Sequence, residues 1–565
     1  MTTILAVMRR IPPARPMPYR DSMMVLILEL CPAFCYIPIP MDSKRTGSIP
    51  GPVPPARMPS PASQFLDPNP QFSGLAPDDP AASYDVAVIG GGVVGCAVLR
   101  ELSRYGLRLL LLECESDLAE GATKGNSGVI HAGFNVPPGT LKARTNAAGL
   151  SLIYPLAREL GVPHRKTGKL VVAFDDGERA RLEELMAQGV RNGTPDLALI
   201  NGAAIRRLEP EARGRWARYS PHTGIISPYE LTIALAECAH QNGARVVLDA
   251  VVTAVDVLPS GGFRLRTPRG AFLSRWVINS AGLFSDEVAF LAGIATPRVH
   301  PWRGEYLVTD KEAASVLRMP VYPVPPGDDS FLGVHITPTL EGNILLGPSS
   351  EYVPDKRDAS STRPVMDRLK TEAFGLVPAL LRFPFIHAYS GLRPKLTGPN
   401  GGPKLEDFVI EESPLRPRWI NLLGIESPGL TAAPAIARMV ADMIGAKEDL
   451  IARPDFNPER PPVPYFAHLP DAERARLAAS DPDWGEMICR CEHVTRAEVV
   501  SALRNPFGAR SLDAVKRRTR CGMGRCQGGF CTPRLVELLE GEGVPVDRIT
   551  KRSGASALFQ GRIKP

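Results

Sequence analysis

Three cysteines and four glycines occupy the eleven positions of CGMGRCQGGFC, residues 521–531. Thirty residues upstream, ICRCEHVT adds Cys489 and Cys491 as a C-x-C pair. Four thiolates from two close pairs suit either zinc or a [2Fe–2S] cluster. Cys521 and Cys526 are separated by four residues, as are Cys526 and Cys531, so two registers are open for the second pair. Glycine-rich ligand loops expose backbone N–H groups that can hydrogen-bond to sulfur and tune a potential. Cys531 precedes TPRLVELLEG, so its thiolate would lie near a helix N-terminus. Ten cysteines in 565 residues are too few for a disulfide scaffold. Five of them crowd between Cys489 and Cys531, which reads as metal ligation in a reducing compartment.

A second chemistry is written near the start of the ordered sequence. In YDVAVIGGGVVGC, Gly90, Gly92 and Gly95 form G-x-G-x-x-G between a strand and a helix. The first permits a tight turn, the second lets the backbone approach a pyrophosphate, and the third lets helix and strand pack closely. Glu113 follows Gly95 by 18 residues, at the end of the next strand, where a carboxylate receives ribose hydroxyls. WVINSAGLFSDEVA supplies a further strand and a small-residue turn at Ala281 and Gly282. LLGIESPGLTAAPAIA supplies another, with Gly429, Leu430 and Thr431 at a helix start. A dinucleotide site that recruits elements more than 300 residues apart suits a long, enclosed flavin. FAD is the expected cofactor.

The pieces GNSGVIHAGF, TGIISPYEL, VINSAGLFSD, RGEYLV, SGLRPKL and GIESPGLTAAPAIA resemble the FAD-dependent D-amino-acid-oxidase superfamily, in the branch of glycerol-3-phosphate and L-2-hydroxyglutarate dehydrogenases. The resemblance runs from about Tyr84 to Ile444. It implies that ATKGNSGVIHAG passes the flavin ring, with Asn126 and Ser127 at the cofactor and His131 as the base that takes the hydroxyl proton of an oxidised alcohol. It implies that Arg393, in SGLRPKL, grips the substrate's carboxylate or phosphate. Ser127, Arg303, Tyr306 and Lys395 are further candidates for the same pocket. Residues from about Met487 to Leu539 resemble the bacterioferritin-associated-ferredoxin-like [2Fe–2S] domain, through RCEHVT, LDAVKRRT and GMGRCQGGFC. By that pattern Cys489, Cys491, Cys526 and Cys531 are the ligands, and Cys521 stands where a small non-ligand is expected.

These residues need elements to hold them. YDVAVIG, VVGCAVLRELSRYG and LRLLLLE read as a βαβ unit. Helices fit TLKARTNAAGLSLIYPLAREL, GERARLEELMAQGVRN and YELTIALAECAHQNG, and GEYLVT, PVYPV, FLGVHI and ILLGP read as antiparallel strands. The expected fold is α/β: a Rossmann-like FAD-binding domain interleaved with an antiparallel-sheet α+β substrate domain, plus a small helical [2Fe–2S] domain. Residues 1–83 hold 17 prolines and no plausible core, so they read as a disordered extension. The remaining boundaries expected are 84–450 for the flavin domain, 451–484 for a linker, 485–540 for the cluster domain and 541–565 for a basic tail.

From Gly485 onward fifteen Lys and Arg face eight Asp and Glu, which leaves about −1 for everything upstream of a chain at +6. A basic tail suits nucleic acid or an anionic membrane. A ligated cluster is itself anionic, so KRRTR is expected to offset it, and no nucleic-acid partner is expected. No apolar run reaches the roughly 20 residues that cross a bilayer. The expectation is a cytoplasmic enzyme, with peripheral contact to the inner face of the membrane and self-association both left open. It would oxidise a small anionic hydroxy compound and pass electrons to a quinone or partner redox subunit. Glycerol 3-phosphate leads, L-2-hydroxyglutarate follows, and an amino acid or amine comes third. The non-enzyme alternative is an iron–sulfur docking module with a silent flavin domain.

Overall fold

Four consecutive leucines, Leu109–Leu112, are all buried, which a strand achieves only when both of its faces are covered. In the computed structural model this strand pairs in parallel with Ser83–Ile89, which pairs in parallel with Gly270–Asn279. Arg245–Val247 and Trp419–Leu423 extend the parallel sheet on either side. Ala254–Val257, Phe263–Thr267 and the start of Gly270–Asn279 form an antiparallel meander at one edge. Helices Val93–Leu102, Leu141–Glu159, Pro228–Gln241 and Gly429–Gly445 pack with this sheet around one core. The structure describes residues 83–259, 261–325, 333–399, 407–460, 464–554, 556–559 and 561. Apart from Ser83, the Pro-rich extension lies outside the described residues.

The second sheet has nine strands and a separate core. Its two longest, His300–Thr309 and Phe385–Lys395, run antiparallel along nearly their whole length. Leu170–Ala173 and Trp216–Tyr219 belong to it although they lie far upstream, so the two domains do interleave in the chain. A small sheet, Val129–Ile130, Gly224–Ile226 and His164–Lys166, bridges the passage between them.

The C-terminal unit has its own core, built on a short hairpin, Met487–Cys489 with Val494–Thr495, and on helices Arg496–Leu503, Leu512–Thr519 and Thr532–Gly541. Thr495 and Glu498 form a capping box that starts the first of these helices. Two stretches are more ordered than a linker and a tail would be. Within 451–484, Asp471–Ser480 is a helix, and the backbone carbonyl of Asn457 accepts from Gln241 at 3.1 Å and Asn242 at 2.8 Å. A proline-rich strap can lie this way because side chains of the neighbouring helix, not a strand ladder, satisfy its backbone. Within 541–565, Lys551 O accepts from the Asp513 amide and Ile549 O from the Leu558 amide. Among the described residues no helix is long and apolar enough to cross a membrane.

Candidate functional site

The glycine turn can exist only with glycine. A Cβ on Gly95 would stand 2.0 Å from Gly90 O, and one on Gly90 would stand 2.5 Å from Ser280 O. Ser280, just before Ala281 and Gly282, donates its hydroxyl to Ile89 O at 2.9 Å, so the second small-residue turn is stitched to the first. Helix Val93–Leu102 begins at Gly92 without a side-chain cap on that residue, and Gly429–Gly445 likewise begins uncapped. Glu113 is buried and accepts from the Gly91 amide at 2.5 Å and the Glu115 amide at 2.9 Å. Burial pushes its carboxyl up to about 7, and hydroxyl donors would restore the charged form. A turn with no room for Cβ, two helix starts whose N-cap residues bring no side-chain oxygen, the first with its Val93 amide on Thr123 Oγ1 at 3.1 Å, and a buried carboxylate are what an adenine dinucleotide meets. The residues fit FAD.

Downstream of Glu113 the chain turns through Asn126, whose Oδ1 accepts from the Gly128 amide at 2.7 Å, and reaches His131. The His131 amide donates to Thr431 Oγ1 at 2.8 Å, and its carbonyl accepts from Asn146 at 3.2 Å. Its Nε2 lies 3.4 Å from Ser427 Oγ. Burial, and then the charge of Lys169, hold the imidazole down to about 3, so it is neutral at physiological pH, a hydrogen-bond acceptor with a low proton affinity until an anion enters the site.

The substrate-side sheet brings its own residues to this place. Strand alternation puts Tyr389, Gly391, Arg393 and Lys395 on one face, opposite Tyr306, Gly304, Trp302 and His300. The rings of Tyr306 and Tyr389 stack at 4.7 Å. Gly125 packs directly on Gly391, where a Cβ on either residue would meet the other's backbone at 2.4 Å. Burial raises the Tyr306 hydroxyl, against the charge of Arg393 and a hydrogen bond with Ser127. Arg393 donates to Ser349 O at 3.1 Å while its buried Nη1 has no hydrogen-bond partner among the described residues. Lys395 lies over the Trp302 ring at 4.9 Å. Ser127, Tyr306 and Arg393 are therefore linked on the sheet side, and His131, Thr431 and Ser427 on the other, with Ser127 and His131 four positions apart in one loop.

Arg303 is placed elsewhere. It stands three positions from Tyr306 on the same strand, an odd spacing, so it faces the other side of the sheet. There it meets Glu305 at 3.3 Å, Glu351 at 3.0 Å and Asp358 at 2.8 Å. Ser427 and Tyr389 were not singled out from sequence. Tyr389 could have been, because period-two alternation from Arg393 already put it on the pocket face.

In the C-terminal unit, the sulfurs of Cys489, Cys521 and Cys531 lie within 4.8 Å of one another, and Cys491 Sγ lies 3.6 Å from Cys526 Sγ. Five thiols converge where four are needed, so Cys521 joins the expected four. Donors from Cys521 and Cys531, then the Gly522 and Glu492 amides, lower the Cys489 thiol to about 2. The Phe530 amide leads in lowering Cys526. An all-sulfur set with backbone N–H groups aimed at it fits an iron–sulfur cluster.

The basic run does not face the cysteines, as charge balance alone suggested. Arg517 pairs with Asp117 at 2.7 Å and Glu120 at 2.5 Å, and Arg518 pairs with Asp117 at 2.7 Å. Arg520 reaches Glu492 at 2.8 Å and Glu341 at 3.2 Å. These carboxylates, not an anionic cluster, offset the arginines, because Asp117 and Glu120 sit on the loop between Glu113 and Asn126. Tyr229 Oη lies 3.9 Å from Met523 Sδ in the cysteine loop, which brings that loop against the helix after the bridging sheet.

The profile of the family described as FAD dependent oxidoreductase matches residues 85–443, and that of the BFD-like [2Fe-2S] binding domain matches residues 487–541. A glycerol 3-phosphate dehydrogenase of Caloramator mitchellensis is 38% identical over 485 residues, covering 85% of this chain and 99% of the relative. A mitochondrial L-2-hydroxyglutarate dehydrogenase of Caenorhabditis elegans is 33% identical over 399 residues, covering 63% of this chain and 92% of the relative. Among solved structures, the dithionite-reduced, FAD-bound L-α-glycerophosphate oxidase of Mycoplasma pneumoniae superposes with a TM-score of 0.63 at 29% identity, covering 68% of this chain and all of that one.

Proposed function

The chain belongs to the FAD dependent oxidoreductase family, and on that premise we propose that it dehydrogenates glycerol 3-phosphate and sends the electrons through its own [2Fe–2S] domain to a quinone or a partner redox protein. Its cofactors are FAD and a [2Fe–2S] cluster. The observation that carries the substrate is the 38% identity with a glycerol 3-phosphate dehydrogenase, over a match longer than the flavin portion alone.

When bound, FAD supplies a hydride acceptor and the cluster a one-electron relay. His131 Nε2, neutral and so an acceptor, takes the proton of the reacting hydroxyl as its carbon becomes a ketone, and the negative charge of the bound phosphate offsets the burial that lowers its basicity. Ser427 Oγ stands 3.4 Å from that nitrogen and gives it up to the substrate hydroxyl, while Thr431 and Asn146 fix the His131 backbone. Arg393 presents an unpartnered Nη1 to the phosphate, and the Tyr306–Tyr389 stack forms the floor beside it. In this reading the enzyme works in the cytoplasm and meets a quinone at the inner face of the membrane.

L-2-hydroxyglutarate is the second reading, favoured by the 33% identity with its dehydrogenase over the flavin portion. Anaerobic mixing with a panel of hydroxy acids, amino acids and glycerol 3-phosphate separates the two by how fast each bleaches the flavin's visible band. Fastest bleaching by glycerol 3-phosphate supports the first reading, and fastest by L-2-hydroxyglutarate the second. No bleaching by any compound would mean a docking module with a silent flavin.

A further inference from the structure

On the substrate sheet a transverse row shares one face: Arg218, Val171, Tyr322, His335, Gly347 and Tyr306. Val171 pairs with both Arg218 and Tyr322. Tyr322 stacks on His335 at 3.4 Å, and His335 exchanges two backbone hydrogen bonds with Gly347, which packs against Tyr306. Lys169 lies two residues before Val171, so it takes the same face. The row thus ends on Tyr306, beside Arg393, at one side and on Lys169 and Arg218 at the other.

Both side chains are 0% exposed; burial, and then the Arg218 charge, push the Lys169 amine well below its ordinary value, and burial brings Arg218 down to about 9, so an incoming anion is what restores the full pair of charges. Lys169 Nζ and Arg218 Nε and Nη1 have no hydrogen-bond partner, and among the described residues no carboxylate pairs with either. Arg218 Nη2 reaches Asn135 Oδ1 at 3.0 Å. Otherwise the charges lie over rings: Lys169 stands 4.3 Å from Phe134 and 4.1 Å from Tyr322, and Arg218 stands 3.6 Å from Phe134. Aromatic faces return only part of the hydration that two adjacent like charges lose on burial. Arg303, just as buried, meets three carboxylates, so this fold supplies counter-charges where a cation is structural. Phe134 and Asn135 follow His131 by three and four residues, and the Lys169 charge reaches the imidazole, so the pair adjoins the reacting centre.

We propose that Lys169 and Arg218 form an anion subsite at the end of the pocket remote from Arg393, which takes the second carboxylate of a dianionic ligand or, when glycerol 3-phosphate holds its one phosphate on Arg393, a separate small anion. The proposal rests on this face being the substrate site, and not on which alcohol is oxidised. With a cationic group at each end of an aromatic floor, a ligand charged at both ends binds more tightly than one charged at a single end.

The test uses the oxidised, FAD-loaded full chain and three probes that carry no alcohol: inorganic phosphate, the dicarboxylate glutarate, and butyrate as the single-ended control. Thermal midpoints of the wild type are expected to rise with glutarate or phosphate and to rise less with butyrate. Response to glutarate alone assigns the subsite to the end of a substrate, and response to phosphate alone assigns it to a free ion. Lys169→Met and Arg218→Met should each weaken that binding about 10- to 100-fold. In anion-free buffer the Lys169→Met midpoint should not fall below that of the wild type, because a buried amine with no hydrogen-bond partner has been removed. The subsite is overturned if no probe shifts the wild type, if the variants bind as the wild type does, or if Lys169→Met melts lower without anion. Bleaching by glycerol 3-phosphate is measured separately, so failure there leaves this titration standing.

Discussion

Arg517 and Arg518 expose 5% and 6% of their side chains, and Lys169 and Arg218 are fully buried, yet the two pairs meet opposite surroundings. The first pair is clasped by Asp117 and Glu120, which hold the cluster domain to the loop that follows Glu113. The second pair has rings and one amide oxygen. A buried cation left alone costs several kcal/mol, so a paired cluster marks assembly and an unpaired one marks a ligand. By the same rule Arg303, with three carboxylates, reads as structural, and Arg393, whose Nη1 has no hydrogen-bond partner among the described residues, is the one proposed for binding.

Changes on the assembly side should alter stability or electron exit, and changes on the binding side should alter rate or KM. The largest effect is expected at Cys526→Ser, which should abolish the cluster's electron paramagnetic signal with FAD retained. Persistence of the signal would give Cys521, whose sulfur already stands among the ligands, the place of Cys526. His131→Asn should slow flavin reduction about 10²- to 10⁴-fold without loss of FAD, as stopped-flow bleaching would report.

Asp117→Ala leaves two guanidinium groups short of a partner, so stability should fall by about 3–5 kcal/mol in denaturant unfolding. Its pH dependence has a definite sign. Burial pushes the Asp117 carboxyl up, yet Arg518 and Arg517 hold it at about 2, below its unfolded value near 3.9. The pair's contribution is therefore complete above about pH 4 and is lost as pH falls through about 2. Acid unfolding of the wild type should show this loss and that of Asp117→Ala should not. The smallest effects contrast two arginines. Arg303→Met should lower the thermal midpoint with KM unchanged, whereas Arg393→Met should raise KM about 10- to 100-fold with the midpoint unchanged.

What could be read in advance follows the range of the interactions. The turn at Gly90–Gly95, the helices Leu141–Glu159 and Thr532–Gly541, and the leucine strand were legible because neighbours in sequence dictate them. The docking arginines were not, because Arg517 meets Asp117 across 400 positions and composition shows only an excess of charge. Lys169 and Arg218 were hidden for a related reason: their shared face depends on which strands pair and in what register. The placement of Arg303 was legible. Its odd spacing from Tyr306 excluded a common face, and reading RGEYLV as one patch overlooked that. The fifth cysteine stayed ambiguous because spacing alone allowed two registers, and the fold brings every sulfur to the same place.

The central claim is that an alcohol's electrons reach the cluster inside one molecule, through a domain clasped to the flavin loop. Stopped-flow mixing of the anaerobic, fully loaded protein with glycerol 3-phosphate, sampled by freeze-quench electron paramagnetic resonance, tests it most directly. The reduced-cluster signal is expected to grow after flavin bleaching at a rate independent of protein concentration. A bleached flavin beside a cluster that stays oxidised, or a cluster signal whose rate scales with protein concentration, would contradict it.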